Sequence, residues 1–147
     1  MSVLFTDTMT VYNFFRDPET EKEVWNRTII KGVQWSHNKS EVSTSNGVQT
    51  ESKVERITID FTRAYGNKAY LPPNEYRKLS SEEVTDYWTL DAKTGQDMLV
   101  LGESNHEISR QYKLSDLQKD FQYAVTVTAV SDNRNRPRLK HIKAVGK

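Results

Sequence analysis

Three features of the sequence predict a mainly β chain, folded as a small antiparallel barrel or sandwich with a long protruding hairpin arm and one short helix. Apolar residues recur at every second position in several short runs, the period of a half-buried strand. Turn residues punctuate those runs at hairpin spacing: Asp17-Pro18, Asn46-Gly47 and the stretch SDNRNRP at 131–137. One helix is expected: Ser115-Asp116-Leu117-Gln118 carries a capping-box pattern, which predicts a helix over about 115–120 with Ser115 at its N-cap.

The elements follow in order. Met9, Val11, Tyr12, Phe14 and Phe15 mark a first strand, and the charged turn at 17–22 returns it through Val24 and Trp25. Residues 25–61 read as one long hairpin. Trp25, Ile29, Ile30, Val33 and Trp35 rise to the turn, and Val54, Ile57, Ile59 and Phe61 come back. Between them lies HNKSEVSTSNGVQTESK, with Val42 and Val48 its only apolar residues, so the arm at about 37–53 has almost no core to build. Asn46-Gly47 fits a type I′ turn, whose two central residues need positive φ.

The register of that hairpin is testable by arithmetic. A two-residue loop at Asn46-Gly47 pairs Ser45 with Val48, so paired positions sum to 93. Trp35 then faces Thr58, which sends aromatic and aliphatic residues to opposite faces. An offset of one brings Trp35 opposite Ile57. A bulge in the arm, or a three-residue loop at its tip, is therefore expected.

Beyond the hairpin runs an extended loop at about 62–88. Pro72-Pro73 forces an extended path, and residues 74–79 suit one short helical turn. Ser80 to Glu83 resembles a helix start, but Thr85 to Trp88 follow too soon for more than a loop or a single turn. A short strand at 87–90 precedes a turn at 92–96. Met98-Leu99-Val100-Leu101 is a continuous apolar run, a buried strand ended by Gly102. Phe121, Tyr123, Val125, Val127 and Ala129 alternate as a half-buried strand, and residues 139–145 close as its hairpin partner.

At 147 residues the chain is expected to form one domain, 1–147. A chain of that length buries about two-thirds of its unfolded surface without covalent staples. Cysteine is absent, which excludes disulfides and thiolate chemistry and fits a reducing compartment. The hydrophobic fraction is 35% and the charged fraction 28%, so part of the surface is well solvated or is covered only in an assembly. The net charge of +1 gives no global steering toward nucleic acid or membrane. No apolar run reaches the roughly 18 residues of a membrane span. The first residues, MSVLFTDTMTVYNFF, lack a basic region and a cleavage pattern, so no signal peptide is expected, and Ser2 offers no myristoylation site.

No catalytic, metal-binding or cofactor-binding residues are expected. His37, His106 and His141 stand one per distant segment, without metal-ligand spacing. Glu82, Glu83, Asp86, Asp91 and Asp97 read as a solvated loop face. The segment Asp91-Ala92-Lys93-Thr94-Gly95 places a lysine where a calcium loop needs an oxygen. Nucleophile motifs and phosphate-cradling glycine runs are missing.

The C-terminal stretch is basic. After Val130, six cations (Arg134, Arg136, Arg138, Lys140, Lys143 and Lys147) face one acid, Asp132. Three readings stand side by side: phosphate contacts to DNA, a charged edge strand that resists unwanted pairing, and docking on an acidic neighbouring subunit. No aromatic interleaving supports single-strand stacking.

Several stretches together carry a resemblance: TVYN at 10–13, WNRTIIKGVQW at 25–35, RITIDF at 56–61, YLPPNEY at 70–76, QDMLVLGE at 96–103 and the closing VTAVSDNRNRPRLKHIKAVG at 127–146. In their order they resemble head–tail connector, head-completion (stopper-like) or minor capsid proteins of siphophages and prophages of Gram-positive bacteria. The resemblance implies a small non-enzymatic virion protein forming a ring at the portal–tail junction, around the DNA channel. Neighbouring portal, adaptor or tail proteins are its implied partners. It implies a place in the virion, with the host cytoplasm during assembly, and no membrane partner. The loop at 62–88 is extra to the commoner pattern.

On this reading the expected subunit contacts are Asn38, Lys39, Glu41, Ser45, Asn46 and Gly47 of the arm and Tyr70, Pro72, Pro73 and Tyr76 of the loop. Arg134, Arg136, Arg138, Lys140 and Lys143 are the expected contacts to DNA or to an acidic partner. The alternative is a soluble β-barrel binding module that contacts nucleic acid through the basic C-terminus. A hydrolase with scattered carboxylates is a third reading.

Overall fold

The computed structural model describes residues 7–37, 41–45, 48–52, 55–60, 65–66, 68–80, 82–93, 96–109, 111–121, 123–132 and 141–146, with side chains except at 37, 41–45, 48–52 and 65–66. The fold is mainly β, as the alternation of apolar residues predicts.

Strand β1 (Asp7–Arg16) and β2 (Glu23–His37) form the first hairpin. Its turn is held by Asp17, whose Oδ1 accepts the N–H of Glu19 at 2.8 Å and of Thr20 at 3.3 Å. The arm follows as β3 (Glu41–Ser45) and β4 (Val48–Ser52), and β5 (Glu55–Asp60) returns to the body. In the loop, β6 (Tyr65–Gly66) pairs with β2, and β7 (Ala69–Tyr70) pairs in parallel with β8 (Tyr87–Trp88). Between β7 and β8 lie α1 (Pro73–Tyr76) and a 3-10 turn at Glu83–Asp86. The chain ends with β9 (Met98–Leu101), α2 (Leu114–Asp120), β10 (Ala124–Asp132) and β11 (His141–Gly146).

Six strands are joined in a closed circuit of antiparallel ladders: β1 to β9, β10, β11, β5, β2 and back to β1. Strand β2 makes closure possible. It pairs with β1 from Glu23 to Val33 and with β5 from Gln34 to His37. At the changeover Asp7 pairs with Val33 and Thr8 with Lys31, so Gly32 is one residue too many. Gly32 has φ 82°, where a bulge needs glycine. The bulge also resets the side-chain phase. Thr28 and Ile30 point inward before it, and Val33 and Trp35 point inward after it.

The arm's register agrees with the arithmetic. In the arm Ser45 faces Val48 and Glu41 faces Ser52; at its base Trp35 faces Ile57 and His37 faces Glu55. The two registers differ by one, and residues 38–40 and 53–54 between them lie outside the described residues.

Among the described residues the core has three parts. Met9, Val11, Ile30, Val33, Trp35, Ile57, Ile59, Leu99, Val127 and Ile142 fill the inside of the circuit, joined by Trp88 at the end of the loop and Leu90 just after it. Tyr12, Met98, Val100 and Leu117 form a second cluster, in which α2 covers the outer face of β1 and β9. This explains the continuous apolar run of β9: both of its faces are buried. Phe15, Tyr76 and Val84 form a third cluster.

Two expectations are corrected. The helix cap lies two residues earlier than expected: Lys113 is the N-cap, and the Lys113 N–H donates to Asp116 Oδ2 at 2.9 Å, so Asp116 replaces Gln118 at the reciprocal position. Ser115 already lies inside the helix. The alternation expected through Ala129 breaks at Thr128. Val127 pairs with Gly146 and Ala129 with Val145, so Thr128 is bulged, Ala129 turns outward, and Val130 packs against the core. Leu139 and Phe61, the expected ends of two strands, lie outside the described residues.

Gly32→Ala forces a side chain into a left-handed backbone and is expected to cost about 1–2 kcal/mol. Urea unfolding with a lowered midpoint and an unchanged slope is the expected result. Gly146→Ala is expected to destabilise for a different reason. A Cβ there would lie 2.5 Å from Val125 Cγ2 and 3.0 Å from Val125 Cβ.

Candidate functional site

The sequence-nominated residues divide into three groups. In the arm, Asn38, Lys39, Asn46 and Gly47 lie outside the described residues. Glu41 begins β3 and Ser45 ends it, and among the described residues β3 and β4 pair only with each other.

The loop is less free than the sequence suggests. Leu71 N–H donates to Trp88 O at 2.9 Å, and the Tyr70 ring meets the Trp88 ring edge-on at 4.9 Å. Pro72 holds an extended backbone and Pro73 opens α1, where a missing N–H does no harm. Tyr70 and Pro73 line a groove of about 360 Å³ with Arg77, Leu90, Ala92 and Val130. Pro72 is half-buried beside it.

Tyr76 is corrected. It is 1% exposed, packs edge-on against Phe15 at 5.9 Å and accepts a hydrogen bond from Asn26 Nδ2 at 3.2 Å. Burial raises its phenol far above the ordinary value. It belongs to the chain's own core and offers nothing to a neighbouring subunit.

The loop is locked by polar groups the sequence reading assigned elsewhere. Asp97 is 1% exposed and Asp91 4% exposed, which overturns their place on a solvated face; Glu82, Glu83 and Asp86 are exposed as expected. Asp97 Oδ2 accepts Asn13 Nδ2 and the Asp91 N–H, each at 2.9 Å, and its Oδ1 accepts the Phe14 N–H at 2.9 Å. Asn13 also donates to Thr89 O at 2.6 Å and accepts the Thr89 N–H at 3.1 Å. One carboxylate and one amide thus join β1, the loop's end and the start of β9. Burial pushes the Asp97 carboxyl up to about 7, against the pull of the three donated hydrogen bonds. One signal for Asp97 was present in the sequence: it lies two residues before Leu99, on the inward side of a strand with no solvated face.

A second internal cluster surrounds Asn26. Its Nδ2 also donates to Val84 O and Tyr87 O, and its Oδ1 accepts Lys68 Nζ at 2.8 Å. Lys68 also donates to Arg27 O at 2.6 Å, and burial lowers its pKa. These groups face inward and hold the loop. Ser104, fully buried, hydrogen-bonds the Tyr12 hydroxyl at 2.6 Å. The His106 ring stacks on Tyr112 at 4.3 Å. No three metal-ligating side chains come together among the described residues.

Of the basic C-terminal set, Arg134, Arg136, Arg138 and Lys140 lie outside the described residues. Lys143 is exposed on β11. Its cross-strand partners are Thr58 on β5 and Ser131 on β10, which sequence reasoning did not bring to it.

Over residues 4–147 the chain matches a family of unknown function (DUF6751). It belongs to that family. No curated protein matches it, and no solved structure matches it. No helix among the described residues is long and apolar enough to cross a membrane.

The Asp97 site predicts a pH dependence. The folded carboxyl titrates near 7 and the unfolded one near 3.8. Between those values the folded chain holds a proton that the unfolded chain has lost. This group's contribution therefore falls as pH rises from about 4 to about 7, at up to about 1.4 kcal/mol per unit, and is level above. Subtracting the urea stability of D97N from that of the native chain across this range isolates the slope. Asn13→Ala strands the partners of a buried amide and is expected to cost about 1–3 kcal/mol.

Proposed function

We propose that this protein is a non-enzymatic structural subunit of a phage virion, placed in the head–tail connector and assembled as a ring at the portal–tail junction. The arm carries the reading. Its strands β3 and β4 pair only with each other among the described residues. Their sequences, EVSTS and VQTES, supply one apolar side chain each. A lone two-stranded hairpin is marginal in water, and without a core of its own it gains most from a neighbour. A ring provides that neighbour, because each copy's arm meets a different patch on the next copy.

Two further observations support the reading. The buried polar side chains Asn13, Asn26, Asp97 and Ser104 are all engaged in holding the fold. The resemblance to connector and head-completion proteins spans most of the chain. With Tyr76 internal, the loop's contribution to a subunit contact reduces to Tyr70, Pro72 and Pro73 beside their groove.

Cryo-electron microscopy of particles from the genome encoding this chain is the direct test. Ring-shaped density at the portal–tail junction is the expected result, and absence of the protein from otherwise complete particles discards the proposal. Replacing residues 38–52 with a short Gly-Ser turn should leave the isolated subunit's melting temperature nearly unchanged while abolishing its incorporation into particles.

A further inference from the structure

The outward face of β2, β5, β11 and β10 is a built patch of cations and hydroxyls. Two rows of side chains cross it. Gln34, Thr58, Lys143 and Ser131 form one row, and Ser36, Arg56, Val145 and Ala129 the other. The inward residues of the same strands, Trp35, Ile57, Ile142 and Ala144, are buried, so the pleat sets the outward set. A shallow recess of about 380 Å³ lies over this face. Arg56 and Lys143 line it with Ser36, Thr58 and Ser131, and among the described residues no carboxylate does. Both cations are exposed. They stand diagonally on neighbouring strands, about 7–8 Å apart, so both side chains can converge on one phosphate.

We infer that this face binds the phosphate backbone of DNA, with Arg56 and Lys143 as the charged contacts and Ser36, Thr58 and Ser131 as hydroxyl donors. Arginine, lysine, serine and threonine are the side chains that hold phosphate oxygens without reading sequence. A protein partner of comparable charge would need an aromatic or large aliphatic anchor at the centre of the patch. Among the described residues only Ala129, Ala144 and Val145 are apolar there. The Thr128 bulge helps make the face, because it turns Ala129 and Ser131 outward. The inference deepens the connector proposal, in which DNA passes through the ring, and rests on it for the source of that DNA.

Fluorescence anisotropy with a short labelled duplex tests it on the full chain. Binding is expected to weaken steeply between about 50 and 200 mM salt. The double variant Arg56→Gln, Lys143→Gln should bind more weakly at low salt and reduce the slope of log K against log salt by about two. Lys93→Gln, an exposed cation on a different surface, should change neither, and all three proteins should melt together. No binding at about 50 mM salt overturns the inference, as does an unchanged slope in the double variant. Displacement of the duplex by polyglutamate at equal charge concentration also overturns it, in favour of an acidic protein partner. The two proposals fail separately. A ring present in particles with an unchanged slope leaves the connector reading standing alone. Particles lacking the protein, with a reduced slope in the double variant, leave only the DNA face.

Discussion

A strand that must satisfy two different neighbours along its length organises this molecule. β2 is paired to β1 over its first part and to β5 over its last, and without that changeover the six strands would form an open sheet. Closure removes two exposed edges, each a row of unpaired backbone groups. It also encloses the face that Met9, Val11, Ile57, Ile59, Leu99 and Ile142 share. The changeover turns on one residue. Gly32 accepts the positive φ of the bulge, and the bulge keeps Ile30 and Val33 on the same side. Asp7, at the start of β1, then accepts the Trp35 N–H at 2.9 Å, beyond the bulge in β2.

The loop depends on that enclosure. Trp88 and Leu90 enter the core, and Tyr76 and Val84 pack with Phe15. Apolar burial alone would admit several ways of laying such a segment down. The amide and carboxylate of Asn13 and Asp97 select one, because a half-made buried polar network costs more than none. The Thr89 backbone is held by Asn13 at both its N–H and its carbonyl. A side chain of β1 therefore treats the loop's end as though it were another strand.

The proposed contacts sit on what this interior leaves outside. The nominated loop residues lose Tyr76 to the core and keep Tyr70, Pro72 and Pro73 at a groove. The arm keeps its sequence character, polar and self-paired, which is the physical basis for assigning it to a neighbour. The sheet face with Arg56 and Lys143 is produced by register rather than by local sequence. Arg56 and Lys143 are far apart in the chain and become neighbours because Lys143 faces Thr58 and Val145 faces Arg56.

Period-two alternation and turn chemistry determined the β class, the hairpin at 17–22 and the arm with its offset of one, and a continuous apolar run determined β9 as a buried strand. These properties are local, set by neighbouring residues and by the pleat. The basic character of the C-terminal stretch was legible for the same reason, since charge is a sum over sequence. Only the tertiary structure decided that β2 would be shared between two partners, that Thr128 would bulge, and that Asp97 would be buried with Asn13, 84 positions away. An aspartate's composition is the same on a solvated loop and at a buried junction. Its desolvation, its partners and its raised pKa come from chain segments that meet only when the circuit of strands closes.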